Sequence, residues 1–237
     1  AGIGPDIVLK VLAEKFIDYL NKNKNLKINL KIFADKNLLK QRAELLKIDF
    51  NWIKNLENSG YLDWLEIKNS DLAAPAAPVI PGKLDPRNSS YVLNCLEQAA
   101  LFCQENKGVL VTGPIHKGVI NQGLIDQGLI NQGLKNNDFY FSGHTEFLRD
   151  LAQKSYPDQD FSEVVMMLMS QDLNLKVALA TTHIPLSQVC EKLTAELLEK
   201  IINILDRGLK KYFNKNNLIN FPQIALCGLN PHAGENG

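Results

Sequence analysis

A chain of 237 residues, 45% of them hydrophobic, suits one large domain or two intimately packed ones with a real core. Lys and Arg together number 26, as do Asp and Glu, so the formal net charge is zero and no basic stripe argues for nucleic acid. No apolar run approaches the roughly 20 residues of a membrane span. Cys95, Cys103, Cys190 and Cys227 are widely spaced in apolar stretches, a pattern that predicts buried free thiols in a reducing, cytoplasmic setting rather than disulfides or a zinc cluster.

The first residues, Ala1-Gly2-Ile3-Gly4-Pro5-Asp6, read as the end of a loop opening a helix over Ile7–Leu20. Pro5 suits a first helical position and Asp6 the positive helix end. Free amides there can bind phosphate or carboxylate, yet Gly-x-Gly alone is a weak dinucleotide fingerprint, and an ordinary capped helix fits equally. Alternation predicts a strand over Leu26–Ala34, and a helix follows over Asp35–Leu46. Trp52 and Trp64 are expected to pack, with a strand over Leu62–Ile67. The stretch 73–86, with Pro75, Pro78, Pro81 and Pro86, is a loop and a candidate subdomain boundary. Asn88–Asn106 has the pattern of an amphipathic helix. Val109–Thr112 reads as a short buried strand running into Gly113-Pro114-Ile115-His116-Lys117.

Three consecutive pentapeptides follow: Ile120-Asn121-Gln122-Gly123-Leu124, Ile125-Asp126-Gln127-Gly128-Leu129 and Ile130-Asn131-Gln132-Gly133-Leu134. Three units are few for a solenoid. They are expected to be a tandem duplication that lengthens a surface loop, because glycines every five residues disfavour a continuous helix. Beyond them, Val164–Met169 and Lys176–Thr181 predict a pair of strands. Ser187 is a candidate cap for a helix continuing through Leu193, Leu197, Ile201 and Leu205. Ile224–Cys227 reads as another buried strand, ending at Gly228.

The chemistry gathers around Ser142-Gly143-His144-Thr145-Glu146-Phe147-Leu148. Gly143 allows a tight turn or close approach to the backbone, and His144 and Thr145 offer an imidazole and a hydroxyl side by side. A helix cap with a surface histidine is the plainer reading. The remaining histidines, His116, His183 and His232, each lie just past a predicted strand with a proline within two residues. Loops at the carboxyl ends of strands converge on ligand sites in open α/β sheets, so one shared site and unrelated loop histidines both stand as readings. No histidine spacing here specifies a metal.

Four segments together resemble the 4-hydroxythreonine-4-phosphate dehydrogenase (PdxA) family of pyridoxal phosphate synthesis. They are Gly143–Phe147, Val111–Lys117, Ala178–Pro185 and Cys227–Glu235, joined by Ala1–Asp6 and Val165–Leu168, all in family order. Between Ile7 and Pro81 the match is loose. The resemblance implies an α/β, two-domain fold like isocitrate and isopropylmalate dehydrogenases, a mixed sheet flanked by helices, incomplete at the C-terminus. Residues 1–237 would form one catalytic region. It also implies NAD-dependent oxidation of a secondary alcohol on a small phosphorylated hydroxy amino acid, followed by decarboxylation, in a homodimer with a shared active site. By motif, His144 and Thr145 are carried over as substrate contacts, with His144 orienting the substrate or relaying a proton. His183 and His232 are carried over as ligands of a divalent metal, whether zinc, cobalt, nickel, magnesium or iron. His116 and Lys117 lie in a family motif without an assigned role.

The departures from the family pattern are equally specific. A third metal histidine, and a lysine, an asparagine and an arginine for the phosphorylated substrate, lie in the family beyond the Asn230-Pro231-His232 loop, and this sequence does not contain them. The chain looks like a family member cut at both ends. Two further readings therefore stand beside the first. One keeps the family with a phosphorylated threonate or erythronate as substrate, and the other is an inactive fragment serving as a binding or dimerisation module.

Overall fold

The computed structural model describes residues 3–16, 19, 22, 30–51, 62–65, 75–129, 140–170, 172–213 and 222–229, of which 14, 15 and 62–65 by backbone alone. Helices and short strands are mixed, and the chain divides into two units, residues 1–151 and 152–237. The Trp52 and Trp64 side chains lie outside the described residues.

In the first unit, helix α1 (Gly4–Lys10) starts where Pro5 and Asp6 favour it, and continues as a π-helical stretch over Val11–Phe16. Strand β1 (Leu30–Phe33) runs parallel to β2 (Leu62–Leu65), with Leu30 opposite Leu62 and Phe33 opposite Leu65. Helix α2 (Lys36–Leu45) begins at Asp35, whose carboxylate accepts from the Leu38 N–H at 2.6 Å. Such a cap satisfies one of the four free amides of a helix start. Leu9, Leu12, Ile32, Leu39 and Ala43 close over one another, so α1, β1 and α2 form one small core.

Arg42 fixes α1 against α2. Its Nε and Nη2 donate to the two carboxylate oxygens of Asp6 at 2.7 and 2.6 Å, and the two side chains are 11% and 22% exposed. Breaking a buried ion pair leaves the surviving charge without compensation. Asp6→Ala should therefore destabilise the first unit by about 2–3 kcal/mol, below the 3–5 of a fully buried pair because water reaches this one. Urea unfolding of the variant checks it; a loss within about 0.5 kcal/mol, as for a surface pair, would refute it.

A second core lies between α3 (Ser89–Asn106), α4 (Lys117–Asp126) and α5 (His144–Ser155). Leu96, Ile120, Leu124 and Phe141 are its buried members, with Val92, Leu110, Ile115 and Phe147 packed on them. Of the proline-rich stretch, residues 75–86 belong to the first unit, and the Ala77 N–H and C=O are both bonded to the buried Asn88 amide, at 2.9 and 3.2 Å.

Two expectations for this unit are corrected. Val109–Thr112 forms no strand ladder among the described residues. Val109 and Val111 are 87% and 88% exposed, whereas Leu110 packs on the second core. An extended chain turns alternate side chains to opposite faces, and here one face meets a core while the other meets none. The pentapeptides are not a surface loop throughout. Ile120–Leu124 is helical, inside α4, and Ile120 and Leu124 are 1% and 2% exposed. Gly128 (φ 71°) follows the end of α4, where the Leu129 N–H returns to the Leu124 carbonyl at 2.9 Å. A glycine just past a helix end accepts the left-handed turn at little cost. The third pentapeptide lies outside the described residues.

The second unit holds the expected strand pair, β3 (Met167–Ser170) antiparallel to β4 (Leu175–Ala178). Helix α6 (Leu186–Lys192) begins after Pro185 without a side-chain cap, so Ser187 lies inside it rather than capping it. The helical run then breaks at Leu193. Thr194 caps α7 (Ala195–Tyr212), its hydroxyl accepting from the Leu197 N–H at 3.2 Å. Residues 222–229 form no strand among the described residues, and Leu226 is 65% exposed, so the expected strand over Ile224–Cys227 is also corrected. All four cysteines are free thiols; Cys95 and Cys103 are half-buried, but Cys190 and Cys227 are exposed. Cys190 is exposed because α6 buries none of its residues.

Candidate active site

The first unit brings three of the singled-out segments together. Gly113 packs against Gly4 so closely that a methyl on it would come within 3.1 Å of Gly4 Cα, joining the Thr112–Lys117 loop to the start of α1. The same loop leads into α4. His116 is the helix cap, its Nδ1 accepting from the Val119 N–H at 3.2 Å. This gives His116 a structural task that its sequence context did not reveal. Lys117, one residue on, is the first residue of α4.

Asn121 then ties α4 to the approach to α5. Its Oδ1 accepts from the Phe141 N–H at 2.9 Å and its Nδ2 donates to the Phe141 carbonyl at 3.0 Å. A buried amide satisfied in both directions fixes its neighbour's register, because losing either bond would leave a buried backbone group unpaired. Lys117 and Asn121 are four residues apart and so share one face of α4. That face meets residues 141–143, and Lys117 reaches Gly143: a Cβ there would lie 3.0 Å from Lys117 Nζ and 2.9 Å from Glu146 Oε2. The missing side chain at 143 is what admits both groups.

His144 is the first residue of α5 and Thr145 the second, both half-buried. The His144 ring stands edge-on to Phe141, centroids 6.0 Å apart. Burial, and secondarily the charge of Lys117, hold the imidazole below its ordinary pKa, so it is neutral at pH 7. Its Nε2 is buried and has no hydrogen-bond partner among the described residues. An unpaired buried nitrogen is costly in a fold and is the kind of exception found at ligand sites.

His183 belongs to the second unit, in the loop between β4 and α6. It is exposed and has a left-handed backbone (φ 57°), a conformation uncommon for a residue other than glycine. His232 lies outside the described residues. Among the described residues, no group of three or more His, Cys, Asp and Glu is placed to hold a metal ion. The exposed imidazole of His183 suits a divalent transition metal chemically, but the described residues alone do not complete a site.

Sequence reasoning singled out His144 and Thr145 as candidates but gave no part to Asn121 and no role to Lys117. Asn121 looked like one unit of a repeat, and nothing in a one-dimensional reading separates it from Asn131.

The family model for the pyridoxal phosphate biosynthetic protein PdxA matches residues 27–237. The chain is 39% identical over 245 residues to the 4-hydroxythreonine-4-phosphate dehydrogenase of Vibrio vulnificus (strain YJ016), covering all of this chain and 62% of the relative. It is 41% identical over 239 residues to the enzyme so named from Vibrio parahaemolyticus, again covering all of this chain and 61% of the relative. The corresponding protein of Citrobacter koseri is 36% identical over 245 residues, with 61% of its length covered. The chain belongs to the PdxA family. It spans about three-fifths of the length of these PdxA relatives. The family match takes in the Gly143–Phe147 segment and the loop leading into α4, which are the parts that converge in the first unit.

Proposed function

We propose that this chain carries part of the active site of an NAD-dependent, metal-assisted 4-hydroxythreonine-4-phosphate dehydrogenase serving pyridoxal phosphate synthesis. The observation that carries this reading is the neutral His144, near Lys117 and Gly143, whose buried Nε2 has no hydrogen-bond partner among the described residues. A hydroxylated, anionic substrate offers that nitrogen a hydrogen bond. His144 Nε2 then orients the secondary hydroxyl and can take its proton as the alcohol becomes a ketone, with Thr145 as a neighbouring contact. NAD, when bound, supplies the acceptor for the hydride leaving the carbinol carbon. His183 and His232 would hold the divalent cation, which would supply a Lewis acid for the oxidation and the loss of CO2.

The reading includes the two-domain fold of isocitrate and isopropylmalate dehydrogenases, a homodimer with a shared site, and a cytoplasmic location. No helix among the described residues is long and apolar enough to cross a membrane.

Calorimetric titration with 4-phosphohydroxythreonine, and with phosphorylated threonate and erythronate, tests the substrate, while NADH formation tests the reaction. Binding of the amino substrate in preference to the others, with NADH produced, is the expected result. Binding without NADH would favour the binding-module reading, preference for a threonate or erythronate phosphate the alternative substrate, and no binding of any of them would remove the proposal. For the metal, zinc should bind weakly, because two histidines fall short of the three protein ligands zinc usually takes. His183→Ala and His232→Ala should each weaken that binding further. Unchanged zinc titrations in both variants would take the two histidines out of the metal role.

A further inference from the structure

Lys117 has no assigned part in the site, yet the fold takes care to hold it there. It opens α4, directly after the capping His116, and shares a helix face with Asn121. Asn121 is bonded in both directions to Phe141, three residues before His144. The register between Lys117 and His144 is therefore set by buried hydrogen bonds rather than by chance contact of a long side chain. Gly143 supplies the space, since any side chain there would meet Lys117 Nζ and Cε at 3.0 and 3.1 Å.

We propose that Lys117 is a substrate-binding residue, its ammonium contacting an anionic oxygen of the molecule that also bonds His144 Nε2. The inference rests on the proposed function and deepens it by requiring that molecule to present a hydroxyl and an oxyanion close together. The oxyanion is a phosphate or a carboxylate. A lysine suits it as a compact point charge with three donors. Glu146, whose Oε2 lies 2.9 Å from the same Cβ position at Gly143, is the competing partner. If Lys117 served only Glu146, its removal would cost stability and leave anion binding intact.

The test uses the chain itself, titrated calorimetrically with inorganic phosphate in one arm and acetate in the other. His144 imidazole resonances are followed by NMR. In the parent chain one of the two anions should bind and shift the His144 signals. Lys117→Met should weaken that binding about tenfold or more, the usual scale for a charge-assisted hydrogen bond, and Lys117→Arg should recover part of it. Because the charge of Lys117 opposes protonation of His144, Lys117→Met should also move the His144 titration upward. Lys117→Gln, which keeps a polar side chain, serves as a second variant if Lys117→Met folds poorly. Should neither anion bind the parent, the proposal fails. If His144→Gln loses binding and the lysine variants do not, the site stands and Lys117 is excluded from it. If none of the variants loses binding, the His144 site falls together with the proposal.

Discussion

Gly123→Ala should destabilise the first unit at or above the upper end of the ~1–3 kcal/mol typical of overpacking a core. In an ordinary helix the same change is favourable, because alanine is about 1 kcal/mol better than glycine in a helix interior. Gly123 is different because α4 lies directly on the 3₁₀ turn over Pro86–Asn88. An added Cβ would sit 2.0 Å from the Pro86 carbonyl oxygen and 2.2 Å from Ser89 Oγ. The first of these is backbone and cannot rotate away. Ser89 is 1% exposed, and its hydroxyl lies 2.6 Å from the Pro86 carbonyl and 3.1 Å from that of Val119, so moving it breaks the seam between the turn and α4. Gly208, inside α7 with nothing within 4 Å of its added Cβ, is the control. Gly208→Ala should stabilise by about 0.5–1 kcal/mol. Urea midpoints for the two variants should move in opposite directions; a stabilising Gly123→Ala would show that α4 does not rest on that turn.

Under the proposed dehydrogenase reading, His144→Gln is expected to lower turnover by about a hundredfold or more, within the range for loss of a general acid or base, while the melting temperature at neutral pH barely moves. The second half of that expectation follows because the buried Nε2 has no hydrogen-bond partner among the described residues to lose. The pH dependence of stability tests whether this imidazole is held below its ordinary pKa. Its folded pKa is depressed, chiefly by burial and then by Lys117, below the unfolded value near 6.5. As pH falls below about 6.5, the unfolded chain binds a proton that the folded chain resists, so stability decreases with falling pH until the folded pKa is passed. The stabilising contribution is complete above the unfolded pKa. His144→Gln should flatten this part of the stability profile. Parallel profiles of parent and variant below about pH 6.5 would show that the His144 pKa is not depressed in the fold, and equal turnover would place His144 outside the site.

Much of the local structure was legible in the residues themselves. Asp35 before an apolar-periodic run marked the start of α2, and the run over Asn88–Asn106 gave α3 to within a residue. The apolar runs on either side of residues 171–174 gave the β3–β4 pair. These are short-range properties: caps, periodicity and turn chemistry act within a few residues and need no knowledge of what lies opposite. The Gly-His-Thr segment was likewise legible as a candidate site, because an imidazole and a hydroxyl after a glycine carry their chemistry with them.

Partners across space decided the rest. Val109–Thr112 has the composition of a buried strand, but a strand is completed by hydrogen bonds from another segment, and none is present among the described residues. The pentapeptides make the point most sharply. Gly123 and Gly128 occupy the same place in successive copies of almost the same sequence, yet one is packed inside α4 and the other turns the chain beyond its end. Asn121 became a buried clamp on Phe141 because α4 passes there. The sequence by itself determined which groups could do chemistry and where helices begin, since those depend on neighbours along the chain. Which glycine had to lack a side chain, which asparagine was buried and which lysine stood beside His144 were settled only by tertiary packing, because steric exclusion and desolvation depend on atoms far away in sequence.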